Sequence, residues 1–134
     1  MAPVTSMLDH FQNPTLVNTL RIVASPGDVQ RQLYPSFVVV GDEIASDFDS
    51  AFRTLLGKDL PASLISLNGY IDDLSGGNPD FWGNLDDQRW NRCRELAQLA
   101  LIEIGSSYEV PAKNGAMYSS GDEIVDNSGG LTYR

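Results

Sequence analysis

The sequence has few of the side chains on which catalytic and metal sites most often depend. Its 134 residues contain one cysteine, Cys93, and one histidine, His10. A single cysteine excludes an internal disulfide and any zinc or iron–sulfur site built from several cysteines, and it favours a reducing, cytoplasmic location. His10 belongs to an N-terminal segment without a nucleophile elbow, so we expect it to have a surface or capping role and not to act as a catalytic base.

Basic residues are also scarce. The chain has 9 Lys and Arg against 18 Asp and Glu, a formal net charge of −9 at pH 7, and no basic run compensates for the acidic excess. A surface this negative repels nucleic acid and anionic membranes and attracts basic partners, because long-range fields act before contact. The sequence therefore predicts a basic protein partner, with no nucleic acid and no membrane.

Long hydrophobic runs are absent as well. No stretch approaches the roughly 18 apolar residues of a membrane span, and the first residues lack the basic start and apolar stretch of a signal peptide. We therefore expect neither a spanning helix nor export by that route. With 42% hydrophobic and 20% charged residues, the chain has a globular composition, and its length fits one domain with one core.

Apolar residues recur at helical spacing up to about residue 105, which predicts an all-α fold of about five helices. These helices are expected over residues 13–24, 27–33, 42–56, 61–74 and 86–104. Leu99 and Ile102 lie outside the main apolar stripe of the last helix, so we expect neighbours to cover more than half of that helix, which is then the central one. The β-branched run over residues 37–40 has no partner strand nearby and is interpreted as a buried connector.

The composition changes after residue 110. Residues 111–134 are rich in Gly, Ser, Asn and Asp, with only scattered apolar positions, too few to bury a face. We therefore predict a helical domain over residues 1–110 and an irregular, polar C-terminal extension over residues 111–134.

Two acidic clusters have the composition of metal sites. Glu43 and Asp47 are four residues apart on one predicted helix, with Asp42 beside them, and such carboxylates could bind Mg²⁺. Acidic residues in a first helical turn also interact favourably with the helix dipole, which accounts for Asp42 and Glu43 without a metal. The second cluster, over residues 72–80, lacks the alternating ligands and closing glutamate of an EF-hand. We expect no metal and no cofactor.

The remaining reactive and aromatic residues have mostly structural interpretations. Cys93 lies between Trp90 and Leu96 on the apolar stripe of the last helix, which predicts a buried, inert thiol and no catalytic role. Phe81 and Trp82 follow a loop rich in Gly, Asn and Pro. They either pack on the core of their own domain or form an aromatic anchor for a protein partner.

Three parts of the chain together resemble a group of small acidic bacterial proteins of unassigned activity: residues 25–38, residues 42–49, and Phe81-Trp82 with Trp90, Arg94 and Ala97. Some members of that group look like immunity proteins of toxin systems. The resemblance covers about residues 25–105 and implies a helical protein that binds another protein, with no catalytic residue carried over.

Taken together, these features predict a non-enzymatic, acidic protein-binding module. The leading interpretation is an immunity or antitoxin-like protein whose carboxylates cover the basic cleft of a toxin. The alternative is a structural component of a phage particle or another assembly, with the extension docked on a neighbour. The candidate protein-binding residues are Asp42, Glu43, Asp49, Asp72, Asp73, Phe81, Trp82, Asp86 and Asp87.

Overall fold

The helices form where the apolar periodicity of the sequence predicts them. The computed structural model describes residues 13–55, 59–75, 80–120, 123–127 and 131–133. Within them lie five helices of six or more residues and one helix of a single turn. The helices are α1 Pro14–Ala24, α2 Gly27–Gln32, α3 Val40–Arg53, α4 Ala62–Ser75, the short α5 Asp80–Gly83, and α6 Gln88–Glu103. The prediction of an all-α domain of about five helices is confirmed.

Local sequence signals set the ends of these helices. Asn13 caps α1, because its side-chain oxygen accepts hydrogen bonds from the backbone N–H groups of Thr15 and Leu16, two donors without a partner inside the helix. At the end of α6, Gly105 adopts a φ of 81°. The N–H groups of Gly105 and Ser106 then donate to carbonyl oxygens of the last turn, at 3.0 and 2.8 Å. This is a Schellman ending, which the glycine makes possible.

Helix α6 is the central helix, as predicted. It packs against α1 on one side and α4 on another. Its residues Trp90, Cys93, Ala97 and Ala100 are completely buried. However, the prediction that Leu99 and Ile102 pack against neighbours is wrong, since Ile102 is 67% exposed and Leu99 47%. None of the described helices covers the face of α6 that carries Leu99 and Ile102, so these two side chains face solvent.

Arg94 connects three parts of the helical domain. Its guanidinium donates to the carbonyl oxygen of Ser25 at 3.0 Å, and to the side-chain oxygen of Gln30 and the carbonyl oxygen of Leu85 at 2.8 Å each. The amide nitrogen of Gln30 in turn donates to the carbonyl oxygen of Ile22 at 3.0 Å. A planar guanidinium with five donors suits such a junction, and it fixes the beginning of α6 against the end of α1 and the start of α2.

The connector between α2 and α3 is less buried than predicted. Val38 and Val40 pack partly against the core, but Val39 is 52% exposed. Helix α3 begins at Val40, so the chain turns here, and successive side chains of a turning backbone cannot all point into one core.

The C-terminal extension is not irregular, so that part of the prediction is wrong. It forms three short strands, β1 Met117–Ser120, β2 Glu123–Asp126 and β3 Leu131–Tyr133. They pair antiparallel in the order β1-β2-β3, with Tyr118 opposite Val125 and Val125 opposite Thr132. Backbone pairing satisfies the polar groups of these strands without the apolar face that the composition lacks. Polar contacts described below hold the extension on the helices.

Among the helices described above, none combines the length and the apolar character that crossing a bilayer requires.

Candidate protein-binding surface

Helices α4 and α6 run antiparallel, which brings the end of one beside the start of the other. At the start of α4, the backbone N–H and the hydroxyl of Ser63 donate to the two carboxylate oxygens of Glu103, at 3.0 and 2.8 Å. Glu103 is the last residue of α6. Since both helices have similar lengths, Asp72 and Asp73 near the end of α4 lie at the same end of the bundle as the start of α6.

The start of α3 lies at this end too, in close contact with α5. A Cβ atom added to Gly41 would meet the carbonyl oxygen of Trp82 and lie 2.8 Å from the Trp90 ring. The two tryptophan rings themselves pack edge to face, with centroids 6.2 Å apart. Trp90 belongs to the first turn of α6. Gly41 therefore allows α3 to begin directly against α5 and α6.

Six of the seven carboxylates predicted as binding residues thus come to one end of the helical domain, which we call the acidic end. Its members are Asp42, Glu43, Asp72, Asp73, Asp86 and Asp87. The seventh, Asp49, lies in the second half of α3 and pairs there with Arg53 at 2.7 Å. The sequence named these carboxylates one by one, and only the antiparallel packing shows that six of them share an end; their binding role stays a prediction.

Two members of the acidic end are engaged within the chain. Asp86 pairs with Arg31 at 2.9 Å and Asp87 with Arg89 at 2.8 Å. Asp87 also caps α6, because it accepts a hydrogen bond from the backbone N–H of Arg89 at 2.9 Å. The bonds from the Arg89 side chain, followed by this backbone bond, lower the pKa of Asp87 to about 2. Asp87 therefore has a folding role, whatever else it contacts.

The other four members form no ion pair within the described part of the chain. Asp42 and Glu43 occupy the first turn of α3, where the helix dipole favours a negative charge. Partial burial, followed by the nearby carboxylates of Asp47 and Asp42, raises the pKa of Glu43. Asp72 and Asp73 are exposed and lie in the last turn of α4, which contains no basic residue. The dipole disfavours a negative charge there, so folding does not account for this pair.

A groove with a partly apolar wall opens at the same end, and we call it the valine groove. Its volume is about 650 Å³, within the range of ligand-binding clefts. Arg31 and Asp86 form part of its rim. The residues that line its apolar part are Pro35, Val38, Val39, Val40, Trp82 and Leu85. Trp82 is half-buried and packs against the core, so it belongs to the core and to the groove wall at once.

Cys93 and Asp47, two of the side chains considered for chemistry, are buried or engaged. Cys93 is fully buried, as predicted, and burial raises the pKa of its thiol to about 12. The Asp47 carboxylate accepts hydrogen bonds from the Tyr34 hydroxyl at 2.7 Å and from the Asn114 amide at 2.9 Å. Within residues 13–55, 59–75, 80–120, 123–127 and 131–133, no group of three or more His, Cys, Asp and Glu side chains is arranged to hold a metal. His10, Asn78 and the side chains of Asp80 and Phe81 lie outside the described residues.

A polar cluster that the sequence did not predict attaches the extension to the helices. We call it the anchor cluster. The side-chain amide of Asn114 uses its full hydrogen-bonding capacity. Its nitrogen donates to Asp47 and Tyr118, and its oxygen accepts from the Ala116 N–H and from Asn127. Asn127, only 1% exposed, also donates to the carbonyl oxygen of Leu33 at 2.8 Å. The members of the anchor cluster are Tyr34, Asp47, Asn114, Tyr118 and Asn127. Asparagines in a polar segment are common, so the sequence carried no distinctive signal for them.

The segment between α6 and β1 is bound along α1. The Asn18 side chain donates to the carbonyl oxygen of Ala112 and accepts from its N–H, both at 2.9 Å. Arg21 donates to the carbonyl oxygen of Ser107 at 2.9 Å and pairs with Glu109 at 3.1 Å. The described part of the extension therefore packs on its own helical domain.

Comparison of the chain with known protein families, with curated proteins and with solved structures finds no match. The interpretation of the acidic end and the valine groove therefore depends on their geometry and charge.

Proposed function

We propose that this protein is a non-enzymatic binding module whose acidic end contacts a basic protein. The net charge of −9 supports the proposal, because an excess of one sign steers oppositely charged partners toward the surface. The positions of Asp72 and Asp73 carry the argument. These carboxylates are exposed, have no ion pair within the described residues and oppose the dipole of α4, so a binding role accounts for them better than folding does.

The specific form that we propose is neutralisation of a toxin, as in an immunity or antitoxin-like protein. A nuclease toxin presents Lys and Arg to phosphate groups, and a rigid carboxylate surface can occupy the same cleft. The carboxylates of the acidic end are placed on helix ends and not on long loops, which limits the entropy lost on binding. The proposal locates the protein in the cytoplasm, where one unpaired cysteine stays reduced.

One observation favours the alternative, a structural component of an assembly. Met117 in β1 and Ile124 in β2 are exposed. Ile124 pairs with Ser119, two residues after Met117, so both side chains lie on the same face of the sheet. A neighbouring subunit could cover this face, since the extension already packs on its own helices by the opposite one.

Comparative capture from a lysate of the native host separates these functions. The baits are the wild-type chain, Asp73→Lys, and Asp59→Lys as a control that makes the same charge change before the start of α4, at the other end. We expect one basic protein to be retained by the wild type and by Asp59→Lys, and to be lost by Asp73→Lys. A partner retained by Asp73→Lys and lost by Ile124→Asp would favour assembly. Capture of nucleic acid or of an acidic protein would contradict the proposal.

A further inference from the structure

Val39 occupies a helix position at which valine is disfavoured. It is the N-cap of α3, and its side chain makes no capping hydrogen bond. Ser, Thr, Asp and Asn are preferred there, and valine is among the poorest choices. The same side chain is 52% exposed and lines the valine groove. It therefore contributes little to the helix or the core, and its position in the groove wall gives it a different role.

At the rim of the valine groove, two carboxylates share one guanidinium. Asp86 lies on this rim, with 79% of its side chain exposed, and pairs at 2.9 Å with Arg31, whose side chain is 44% exposed and also pairs with Asp28. An exposed ion pair of this kind contributes little to stability, so a cation from outside can compete with Arg31 for the carboxylate. The groove thus combines a partly apolar wall with an exposed carboxylate, that of Asp86, at its edge.

We infer that the valine groove receives a short segment of the partner in which apolar side chains are flanked by lysine or arginine. The apolar side chains are buried against Val39 and Trp82, and a flanking cation faces Asp86. This inference rests on the proposed function, because it identifies which part of the basic partner the acidic end recognises. Burial of an apolar anchor between charge pairs at the rim is the usual anatomy of a specific interface.

Gly83 offers a way to fill the groove without altering the net charge. It lines the groove, it is exposed, and a Cβ atom added to it would meet nothing within 4 Å. Gly69 on α4 has the same open surroundings outside the groove. We therefore compare Gly83→Gln with Gly69→Gln, and use Val39→Ser as a second variant in the wall. Serine is a good N-cap residue, so Val39→Ser should melt at a higher temperature than the wild type.

The probes are three synthetic dodecapeptides. In the first, pairs of leucine alternate with pairs of lysine; the second replaces leucine with serine, and the third replaces lysine with glutamate. Binding is followed by tryptophan emission, because Trp82 lines the groove while Trp90, the other tryptophan, is completely buried. Light scattering of the free protein over a concentration series detects self-association through the same surface.

We expect saturable binding of the leucine–lysine peptide to the wild type and to Gly69→Gln, and at least tenfold weaker binding to Gly83→Gln and Val39→Ser. The inference would be overturned if the serine–lysine peptide bound as tightly as the leucine–lysine peptide. It would also be overturned if all variants bound the leucine–lysine peptide equally well. Self-association that Gly83→Gln abolishes would overturn it as well, because a second copy would then be the occupant. If Gly83→Gln retains the host partner while Asp73→Lys loses it, only this inference fails. If both retain it, the proposed function fails too.

Discussion

The side-chain amide of Asn114 donates a hydrogen bond to the carboxylate of Asp47 at 2.9 Å, across 67 positions of sequence. This bond joins the extension to α3 and lies at the centre of the anchor cluster. The extension is therefore held by a network of buried and partly buried polar groups, and such a network is weakened when one member is removed.

Asn114→Ala should release the extension from the helices. The substitution leaves Asp47 and the buried Asn127 amide each short of one partner, so we expect a loss of about 1–3 kcal/mol in the free energy of unfolding. Amide hydrogen exchange in residues 111–127 should become faster than in the wild type. The control is Asn91→Ala, which removes one exposed hydrogen bond to Arg94. Unchanged exchange in Asn114→Ala would show that the anchor cluster does not hold the strands.

Sequence patterns predict the helices, but they do not predict the strands that the anchor cluster holds. The helices follow from apolar residues such as Ile44, Phe48 and Phe52, whose spacing alone places them on one buried face. The strands do not, because their stability comes from tertiary bonds such as that between Asn127 and the Leu33 carbonyl oxygen. Periodicity carries no information on contacts of this kind.

The candidate site was predictable as a list of residues but not as a surface. The sequence identified the carboxylates by their charge, and it left the role of Trp82 open. The common end of α3, α4 and α6 depends on how the helices pack, and in particular on the close approach at Gly41. The groove wall at Val39 was missed, because a β-branched run is more often buried than exposed.

Gly41→Ala should destabilise the protein. The added methyl group would meet the Trp82 carbonyl oxygen and the Trp90 ring, and relieving such overpacking costs about 1–3 kcal/mol. Gly69→Ala, a control with open surroundings in the middle of α4, should instead stabilise by about 0.5–1 kcal/mol. Urea denaturation of both variants measures the two changes. Similar effects of the same sign would contradict the close packing of α3 on α5.

Replacing the proposed binding residues Val39 and Asp73 should stabilise the protein. Val39→Asn introduces a capping side chain at the start of α3, worth about 1 kcal/mol. Asp73→Asn removes a charge that opposes the dipole of α4, worth about 0.3–1 kcal/mol at low salt. Asp42→Asn, which removes a favourable charge from the first turn of α3, should have the opposite effect. Thermal unfolding at low ionic strength tests all three, and a loss of stability in Val39→Asn or Asp73→Asn would indicate that these residues serve the fold.

The protein should lose stability as the pH rises from about 9 to about 12. Burial raises the pKa of the Cys93 thiol from 9.0 to about 12, so in this range the unfolded chain releases a proton that the folded chain retains. The free energy of unfolding then falls with rising pH. Burial shifts the pKa values of Tyr34 and Tyr118 in the same direction. Cys93→Ala should reduce the slope between these limits, measured by denaturation at a series of pH values. An unaltered slope would mean that the thiol does not contribute.

The same burial should make Cys93 unreactive in the native state. A thiol reagent should modify it only at the rate of unfolding, and Cys93→Ala should cost about 1–2 kcal/mol as a small cavity. Time-resolved labelling in native buffer and in denaturant makes the comparison. Rapid labelling without denaturant would show that the thiol is accessible.

The most direct measurement of the central claim is the association rate with the captured basic partner over a range of salt concentrations. Between about 50 and about 500 mM salt the screening length shrinks toward a few ångströms, so the rate for the wild type should fall steeply while dissociation changes much less. Asp73→Lys should associate more slowly and with a weaker salt dependence than Asp59→Lys, which carries the same charge. An association rate that is independent of salt, or equal for the two variants, would contradict binding through the acidic end.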